Sequence, residues 1–394
     1  MERLPHALVR ALAERALGTA VTGVAADTLG GSNAVFFLDL RGGDRCVLRV
    51  SPPGQADLVA QEAWALGAAG CVGVPTPAVL VADTSLCHLD RPYLLLRWLP
   101  GVPAFRAPLA PGGRADVLAQ LGQHLARLHG LALDGFGPLR GGAGANAGAA
   151  SSWWGYIRAE GIRRLARLPG TALPLPLARR IARHFDAAAA WRAPGRAVLV
   201  HGDFQLKNVL VRGAHVTGIL DFENLLAGDP LLDFAPLRYW SRDPARTMAA
   251  LQRGYGRSPL ADPDAGRRLA LYELLLALEI RWWEDHLGLP ATRHGALARL
   301  ARALRTLEAP ASGRATPVGA PIRRPPTAGY GPDRAGDGRG DPGADHPGRD
   351  VGKSGGAWAW RDRATRSLSP RASTTGRSIS SGGRACSSPP TTSS

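Results

Sequence analysis

Three polar residues interrupt the apolar segment around residues 198–221, and they constrain the fold more than any other feature. The stretch HGDFQLKNVL places Asp203 directly after His-Gly and Asn208 five positions later. Asp221 follows thirteen residues beyond Asn208, at the end of VTGIL. Short branched apolar runs bounded by polar residues predict strands, so the three side chains are expected at strand ends. Such a set either forms part of a metal and phosphate site or consists of polar turn residues between strands.

The spacing of these residues indicates a catalytic site. From Asp203 to Asn208 it is that of the protein-kinase catalytic loop, in which the aspartate accepts a hydroxyl proton and the asparagine binds metal. Asp221 lies 18 residues after Asp203 and precedes Phe222, as in the kinase Asp-Phe-Gly motif. Carboxylate and amide oxygens suit Mg²⁺, which is a hard cation. The pattern favours Asp203 as the base and Asn208 and Asp221 as metal ligands over a polar hairpin with surface carboxylates.

The N-terminal part contains candidates for nucleotide binding in the order that a kinase needs. A glycine-rich turn lies between two predicted strands, where backbone N–H groups can approach phosphates. Arg49 occupies the position of the kinase strand lysine, and Glu62, thirteen residues on, is its candidate ion-pair partner. The alternative for the glycine-rich turn is an ordinary hairpin turn, and the alternative for Arg49 is an ordinary charge at a strand edge. The candidate turn residues are Gly30, Gly31, Ser32 and Asn33.

These motifs resemble the aminoglycoside phosphotransferase and choline kinase-like family, small-molecule relatives of the protein kinases. HGDFQLKNVL resembles the catalytic loop of that family, GILDFENLLAGDPLLDFA its metal loop and following helix, and YLLLRWLPG its hinge. The resemblance implies that backbone groups around Leu96 and Trp98 hold the adenine. It implies that Asp233 braces the catalytic loop, that His201 supports the same loop, and that the cofactors are ATP or GTP with Mg²⁺. Arg49 replaces the protein-kinase lysine, but arginine is common there in the small-molecule group.

The predicted fold class is α+β, a protein-kinase-like fold of two lobes. Residues 1–97 are expected to form a nucleotide-binding lobe with a small mixed β-sheet. A hairpin signal covers 35–50, and one main helix over 57–70 is expected to pack on the sheet. A hinge at about 95–101 leads into the second lobe.

Residues 98–309 are predicted to form the larger, mainly helical catalytic and substrate lobe, with a small β insertion that carries the polar motif. The Gly- and Ala-rich segment 134–150 is expected to be a loop. Residues 310–394 contain only five Leu, Ile, Val or Phe, too few to offset chain entropy, which predicts a low-complexity, disordered tail.

The charge of the chain does not identify a nucleic-acid binder. The formal net charge is +16 over 394 residues, but the tail holds 13 of the 48 basic residues and the rest has no long basic run. Only Lys207 and Lys353 are lysines, so an arginine-rich codon bias explains the excess better. The N-terminus lacks the apolar region of a signal peptide, and no run approaches the roughly 20 apolar residues that span a bilayer. Four cysteines without C-x-x-C spacing favour a reduced, cytoplasmic compartment. From the charge distribution and the lack of a long apolar run, neither nucleic acid nor a membrane is expected as a partner.

The acceptor is predicted to be a small molecule, because only 11 residues separate Asp221 from Asp233 and leave no room for the peptide dock of a protein kinase. Aromatic rings beside carboxylates in the helical part suit a cationic acceptor, such as an amino sugar or a quaternary amine. The alternative is that these rings are core residues. Whether Lys207 contacts phosphate or solvent stays open. The candidate substrate residues are Trp153, Trp154, Trp282, Trp283, Glu284 and Asp285.

The sequence therefore predicts an enzyme that moves the γ-phosphate of ATP or GTP to a hydroxyl of a small molecule. An aminoglycoside-type antibiotic, with a role in resistance, and a small amino or sugar metabolite are the candidate acceptors. A non-catalytic nucleotide-binding module of the same fold is the alternative, and a basic nucleic-acid-binding protein is a weaker one. The sequence does not determine the oligomeric state.

Overall fold

The computed structural model describes most of the chain before residue 310. The glycine-rich turn at 30–32 and the predicted tail at 310–394 lie outside the described residues. Among the helices of the described part, none is long and apolar enough to cross a membrane. The described ranges are 4–27, 33–110, 112–140, 147–256, 259–290 and 295–309.

A five-stranded sheet forms the N-terminal part of the molecule. Its strands are β1 (Val21–Ala26), β2 (Ala34–Leu40), β3 (Arg45–Val50), β4 (Val79–Asp83) and β5 (Tyr93–Arg97). They lie in the order β1-β2-β3-β5-β4, and all four pairings are antiparallel, so the sheet is antiparallel rather than mixed. The predicted β2–β3 hairpin is confirmed. The sequence did not predict β1, because VTGVAA contains Gly and Ala, which are depleted in strands.

Two helices cover the two faces of this sheet. Alternate residues of β5 point to opposite faces, so Leu95 packs with helix α1 (His6–Leu17) and Leu94 lies in the core that contains helix α2 (Ala56–Cys71). The second helix matches the predicted main helix and places Glu62 in the interior, where it is only 1% exposed. The sheet is thus sandwiched, and α2 carries a buried carboxylate to the edge of the candidate site.

The described part of the chain after residue 98 is mainly helical, as predicted. Helix α8 is its centre, since every residue from 268 to 281 is buried. The helices are α3 (Gly113–Leu128), α4 (Trp153–Arg167), α5 (Leu175–Ala188), α6 (Phe234–Tyr239), α7 (Pro244–Tyr255), α8 (Ala265–His286) and α9 (Ala296–Glu308).

Short strands within the helical part hold the polar motif. Two small sheets have the orders β11-β10-β6 and β8-β7-β12-β9. The expectation of a loop over 134–150 was wrong at 136–139 and 148–150, because these residues pair with each other and β7 also pairs with β12. The strands are β6 (Val102–Pro103), β7 (Phe136–Leu139), β8 (Gly148–Ala150), β9 (Val198–Val200), β10 (Val209–Arg212), β11 (His215–Ile219) and β12 (Leu226–Gly228).

The close contact of α3 and α7 gives a first prediction. A Cβ at Gly254 would lie 1.7 Å from the backbone oxygen of Ala119, so Gly254→Ala must push the helices apart. We expect the free energy of unfolding to fall by about 1–3 kcal/mol, as for overpacked cores, although alanine is the better helix former. Gly67 of α2 has no neighbour within 4 Å of such a Cβ and is the matched control. Gly67→Ala should raise stability by about 0.5–1 kcal/mol in urea unfolding. A Gly254→Ala midpoint at or above that of the wild type would contradict the packing.

Candidate active site

The carboxylate of Asp203 is held by its own loop. This residue lies just beyond β9 and is 1% exposed. Gln205 Nε2 donates to its Oδ1, while Asn208 Nδ2 and Lys207 Nζ each lie 3.1 Å from its Oδ2. The side-chain Nδ2 of Asn208 also lies 3.0 Å from the backbone oxygen of Asp203. Because this nitrogen makes both contacts with Asp203, the Oδ1 atom of Asn208 points away from Asp203. Lys207, left open by the sequence, forms an ion pair with Asp203.

The electrostatics of Asp203 suit proton transfer. The pKa of the Asp203 carboxyl is raised to about 6, with burial as the largest cause; the nearby Asp221 also raises it, while Lys207 and His201 lower it. A carboxylate whose pKa lies near the working pH is an efficient general base. The effect of Asp221 on Asp203 also shows that the structure brings these two predicted residues together.

Asp233 ties the catalytic loop to the helices behind it. It is fully buried, and its two carboxylate oxygens accept the backbone N–H groups of His201 and Gly202, each at 2.9 Å. His129 Nε2 lies 3.1 Å from Asp233 Oδ2, and its other ring nitrogen lies 3.0 Å from the hydroxyl of Tyr255. These contacts are those of a brace, as the resemblance implied for Asp233. His129 is part of the same buried network.

The glycine of the His-Gly-Asp motif is required by a close approach of two chains. Gly202 has φ of 80°, and a Cβ on it would lie 2.1 Å from the backbone oxygen of Asn224. A side chain at this position would therefore separate the catalytic loop from the segment that follows Asp221. This contact explains why a glycine precedes Asp203.

Asp221 begins the second loop of the site in an unusual conformation. Its φ of 68° and ψ of 61° lie in the left-handed region, which non-glycine residues adopt mainly at functional positions. The preceding Leu220 is fixed on both sides, because its N–H donates to Asn208 O at 2.8 Å and its oxygen lies 2.9 Å from His201 Nε2. Backbone bonds therefore hold the loops of Asp203 and Asp221 side by side.

Arg49 connects the N-terminal sheet to these loops. Its guanidinium forms a buried ion pair with Glu62 and lies 3.6 Å from Asp221 Oδ1 and 3.9 Å from Glu223 Oε2. Burial by itself would lower the pKa of Arg49, but Glu62, Glu223 and Asp221 together raise it. Asn33 Nδ2 donates to the same Glu223 at 2.7 Å. The predicted partners Arg49 and Glu62 are therefore in contact. Asn33 is linked to Arg49 through Glu223.

The predicted hinge continues β5. Leu96 pairs with Val47 and is buried, while the N–H of Trp98 donates to Arg45 O at 3.2 Å and its ring faces the Arg45 guanidinium at 5.2 Å. Gly30, Gly31 and Ser32 lie outside the described residues.

Trp153 and Trp154 are core residues, which corrects the expectation that they face a substrate. They are 1% and 3% exposed. The indole N–H of Trp153 donates to Tyr272 at 2.8 Å, and that of Trp154 donates to the backbone oxygen of Arg192 at 2.9 Å. Because burial and internal hydrogen bonds use both rings fully, they are not available for an acceptor.

The candidates at the end of α8 are also occupied by the protein. Arg167 lies 3.8 Å from the Trp282 ring centre, and Trp283 packs edge-on against Trp282. Glu284 is fully buried, while Asp285 lies 3.6 Å from Arg281. Trp282 is ten residues beyond Tyr272, or about 15 Å along the helix. The cation on the face of Trp282 is therefore an arginine of the protein itself, and no contact in the described residues links this group to Asp203.

A buried network that the sequence did not predict lies behind the site. Arg268 donates to both carboxylate oxygens of Asp229, at 2.9 and 2.7 Å, and the hydroxyl of Tyr272 donates to the same carboxylate. The Asp229 carboxylate also accepts the N–H of Leu231 at 3.0 Å and so caps the short turn that ends at Asp233. The Asp-Pro pair in AGDP was the available signal, since Asp at a cap before Pro begins helical turns.

The residues present fit a magnesium ion. The described residues contain no group of three His, Cys, Asp or Glu that could hold a metal alone. Mg²⁺, however, is commonly bound by one or two carboxylates together with substrate phosphates. Asp221 and the amide oxygen of Asn208 are donors of this kind, and Asp221 is partly accessible, with 22% of its side chain exposed.

The fold and this site define the class of kinase-like phosphotransferases. The chain belongs to the phosphotransferase enzyme family named APH, whose model matches residues 24–273. The family predicted from the motifs is thereby confirmed, and the members of this family are small-molecule kinases.

Curated relatives match only a part of their own length. The chain is 27% identical over 242 residues to acyl-CoA dehydrogenase family member 11 of Rattus norvegicus, covering 57% of this chain and 29% of that protein. It is 28% identical over 222 residues to family member 10 of Mus musculus, covering 52% and 19%. The chain thus spans less than a third of these relatives.

Solved structures share the fold. A thermostable mutant of aminoglycoside phosphotransferase APH(4)-Ia, in complex with AMP-PNP and hygromycin B, aligns with a TM-score of 0.60 at 20% identity, over 77% of this chain and 99% of that one. Macrolide 2'-phosphotransferase MphH from Brachybacterium faecium aligns with a TM-score of 0.52 at 20% identity, over 77% and 98%. These similarities confirm the predicted kinase-like fold.

Proposed function

We propose that this protein transfers the γ-phosphate of ATP, or of GTP, to a hydroxyl group of a small molecule. The observation that carries the proposal is the grouping of Asp203, Asn208 and Asp221 on two adjoining loops, with Arg49 of the sheet 3.6 Å from Asp221. Membership of the phosphotransferase family supports it. The complexes of a structural neighbour with AMP-PNP or ADP support a nucleotide as the donor.

In the proposed reaction Asp203 is the base. The acceptor oxygen attacks the γ-phosphorus, its proton passes to the Asp203 carboxylate, and the bond from the γ-phosphorus to the β–γ bridging oxygen breaks to release the nucleoside diphosphate. Lys207 and Asn208 keep the carboxylate in place through its Oδ2. Asn208 and Asp221 would hold Mg²⁺, which when bound neutralises phosphate charge.

The N-terminal residues are assigned to the nucleotide. Arg49 supplies a cation that stays charged, and Glu62 fixes its side chain, so the guanidinium can face α- and β-phosphates. As part of this proposal, residues 1–97 form the nucleotide-binding lobe and residues 98–309 the catalytic and substrate lobe. A hinge at about 95–101 holds the adenine or guanine ring of the nucleotide. A cytoplasmic location is part of the same proposal.

The structural neighbours suggest acceptor classes by their names, an aminoglycoside and a macrolide. An antibiotic of the aminoglycoside type and a small amino or sugar metabolite are therefore the first compounds to test. The experiment is a phosphoryl-transfer panel of antibiotics and hydroxylated metabolites with ATP and with GTP. Transfer that depends on Asp203 would support the proposal. Mg²⁺-dependent nucleotide binding without transfer to any acceptor would support the non-catalytic alternative.

The pH dependence of the rate follows from the position of Asp203. Because its pKa is raised to about 6, the carboxylate is protonated below that pH and cannot accept the acceptor proton. We expect kcat/KM to be constant above pH 7 and to fall about tenfold for each pH unit below 6. Initial rates between pH 4.5 and 8, with stability checked by preincubation, measure it. An acidic limb centred near the ordinary aspartate value of about 4 would contradict the effect of burial.

A further inference from the structure

A cavity of about 220 Å³ adjoins the catalytic loop on the side of α3 and α6. Two of its lining residues, Gln205 and Lys207, also contact the carboxylate of Asp203. The cavity is therefore lined by two of the residues that hold the proposed base in place. The other lining residues that matter here are Phe105, Arg114, Leu118 and Trp240.

Among the described residues that line this cavity, only Arg114 carries an unpaired charge, because Lys207 is paired with Asp203. Its lining contains Arg114 and Lys207 but no aspartate or glutamate. Arg114 lies in the first turn of α3, where the positive end of the helix dipole makes a cation unfavourable. In the described part of the chain no carboxylate forms an ion pair with Arg114. Its charge is therefore available to a ligand and adds to the positive potential of the helix end.

The walls of the cavity are apolar. Phe105 is 51% exposed, and with Leu118 and Trp240 it gives an aromatic and aliphatic lining on two sides. The volume lies below the ~300–1,000 Å³ usual for ligand pockets, so a compact molecule or one arm of a larger molecule fits. Apolar walls with one unpaired cation, next to the loop that carries the proposed base, suit an amphiphilic alcohol.

We propose that the acceptor is a small alcohol with an apolar body and a carboxylate. The carboxylate pairs with Arg114, the apolar body packs between Phe105 and Trp240, and the hydroxyl faces Asp203. This assignment rests on the proposed phosphotransferase function and specifies its acceptor class. It narrows the acceptor classes proposed above to anionic alcohols and departs from the cationic acceptor expected from the sequence, because the unpaired Arg114 repels a second cation.

Binding of three matched probes tests the proposal without any need for turnover. The probes ω-hydroxyhexanoate, ω-hydroxyhexanamide and ω-aminohexanol share a hydroxyl group and a six-carbon chain, and their other ends are anionic, neutral and cationic. Each is titrated calorimetrically into the full chain. We expect the hydroxy acid to bind about tenfold more tightly than the amine, with the amide between them, as charge complementarity requires. Arg114→Gln should remove this preference. Arg158→Gln, at an exposed arginine paired with Asp186 on the far helices, should retain it.

The outcomes separate this inference from the function on which it rests. Tighter binding of the amine, an unchanged preference in Arg114→Gln, or no binding of any probe would overturn the acceptor assignment. Asp203-dependent transfer to a cationic alcohol would overturn it as well and leave the phosphotransferase function intact. Binding of the hydroxy acid that Arg114 controls would support it, even if no acceptor in the panel were phosphorylated. The phosphotransferase proposal would then fail by itself.

Discussion

The Asp203→Asn variant is expected to lose about 10²- to 10⁴-fold in kcat, which is the usual contribution of general acid–base catalysis. Asparagine has nearly the same shape and can keep the contact with Asn208, but it cannot accept a proton from the acceptor. The site should stay assembled, because Asp233 and not Asp203 binds the backbone of the loop. The measurement is the steady-state rate with the best acceptor of the panel, together with the nucleotide dissociation constant.

The control for this variant is Asp90→Asn, since the side chain of Asp90 is 76% exposed. Its kcat should equal that of the wild type. Nucleotide affinity should change less than threefold in both variants, because the base acts on the acceptor and not on the nucleotide. An Asp203→Asn enzyme with wild-type kcat would remove Asp203 from the reaction.

The Asp233→Asn variant is expected to lose about 3 kcal/mol in the free energy of unfolding. Both oxygens of Asp233 accept backbone N–H groups in the fully buried interior. An asparagine keeps only one acceptor oxygen, so its NH₂ group faces a donor and one N–H group of His201 or Gly202 loses its partner. The midpoint of urea unfolding, with the slope held constant, measures the effect.

The Asp233→Asn substitution should also lower the reaction rate, because the same N–H groups position Asp203. We expect kcat of the folded Asp233→Asn protein to fall while nucleotide affinity is retained. Asp39→Asn is the control, since Asp39 pairs with Arg45 at the surface and such pairs contribute about 0–1 kcal/mol. Equal unfolding midpoints for the Asp233 and Asp39 variants would show that the brace does not stabilise the loop.

The residues closest to the chemistry could be predicted because their spacing is fixed by local backbone geometry. Asp203 and Asn208 lie within one loop and contact each other across five positions. Arg49 and Glu62 lie on consecutive elements, a strand and the helix that covers it, and the structure joins them. Such spacings can be read from the sequence because a shift of one residue along a strand turns its side chain to the other face of the sheet.

The acceptor side could not be predicted in this way. A tryptophan in an amphipathic helix has the same sequence signal whether it fills the core or lines a site. Trp153 and Trp154 proved to be core residues, whereas Trp240 lines the cavity beside Lys207. Arg114 gave no signal in the sequence, since one arginine among many is not informative. Its role depends on which loop and helix lie opposite it.

The sequence by itself determined the kinase-like fold class and the polar set Asp203, Asn208 and Asp221. The polar set depends on short spacings along the chain, and the fold class follows from the resemblance of these motifs to a known family. The tertiary structure decided the brace from Asp233, the buried Asp229–Arg268 pair and the charge of the cavity at Arg114. Each joins residues that are more than 30 positions apart or on separate elements. Whether a charge is buried, paired or open to a ligand depends on which elements pack together, and no local pattern contains that information.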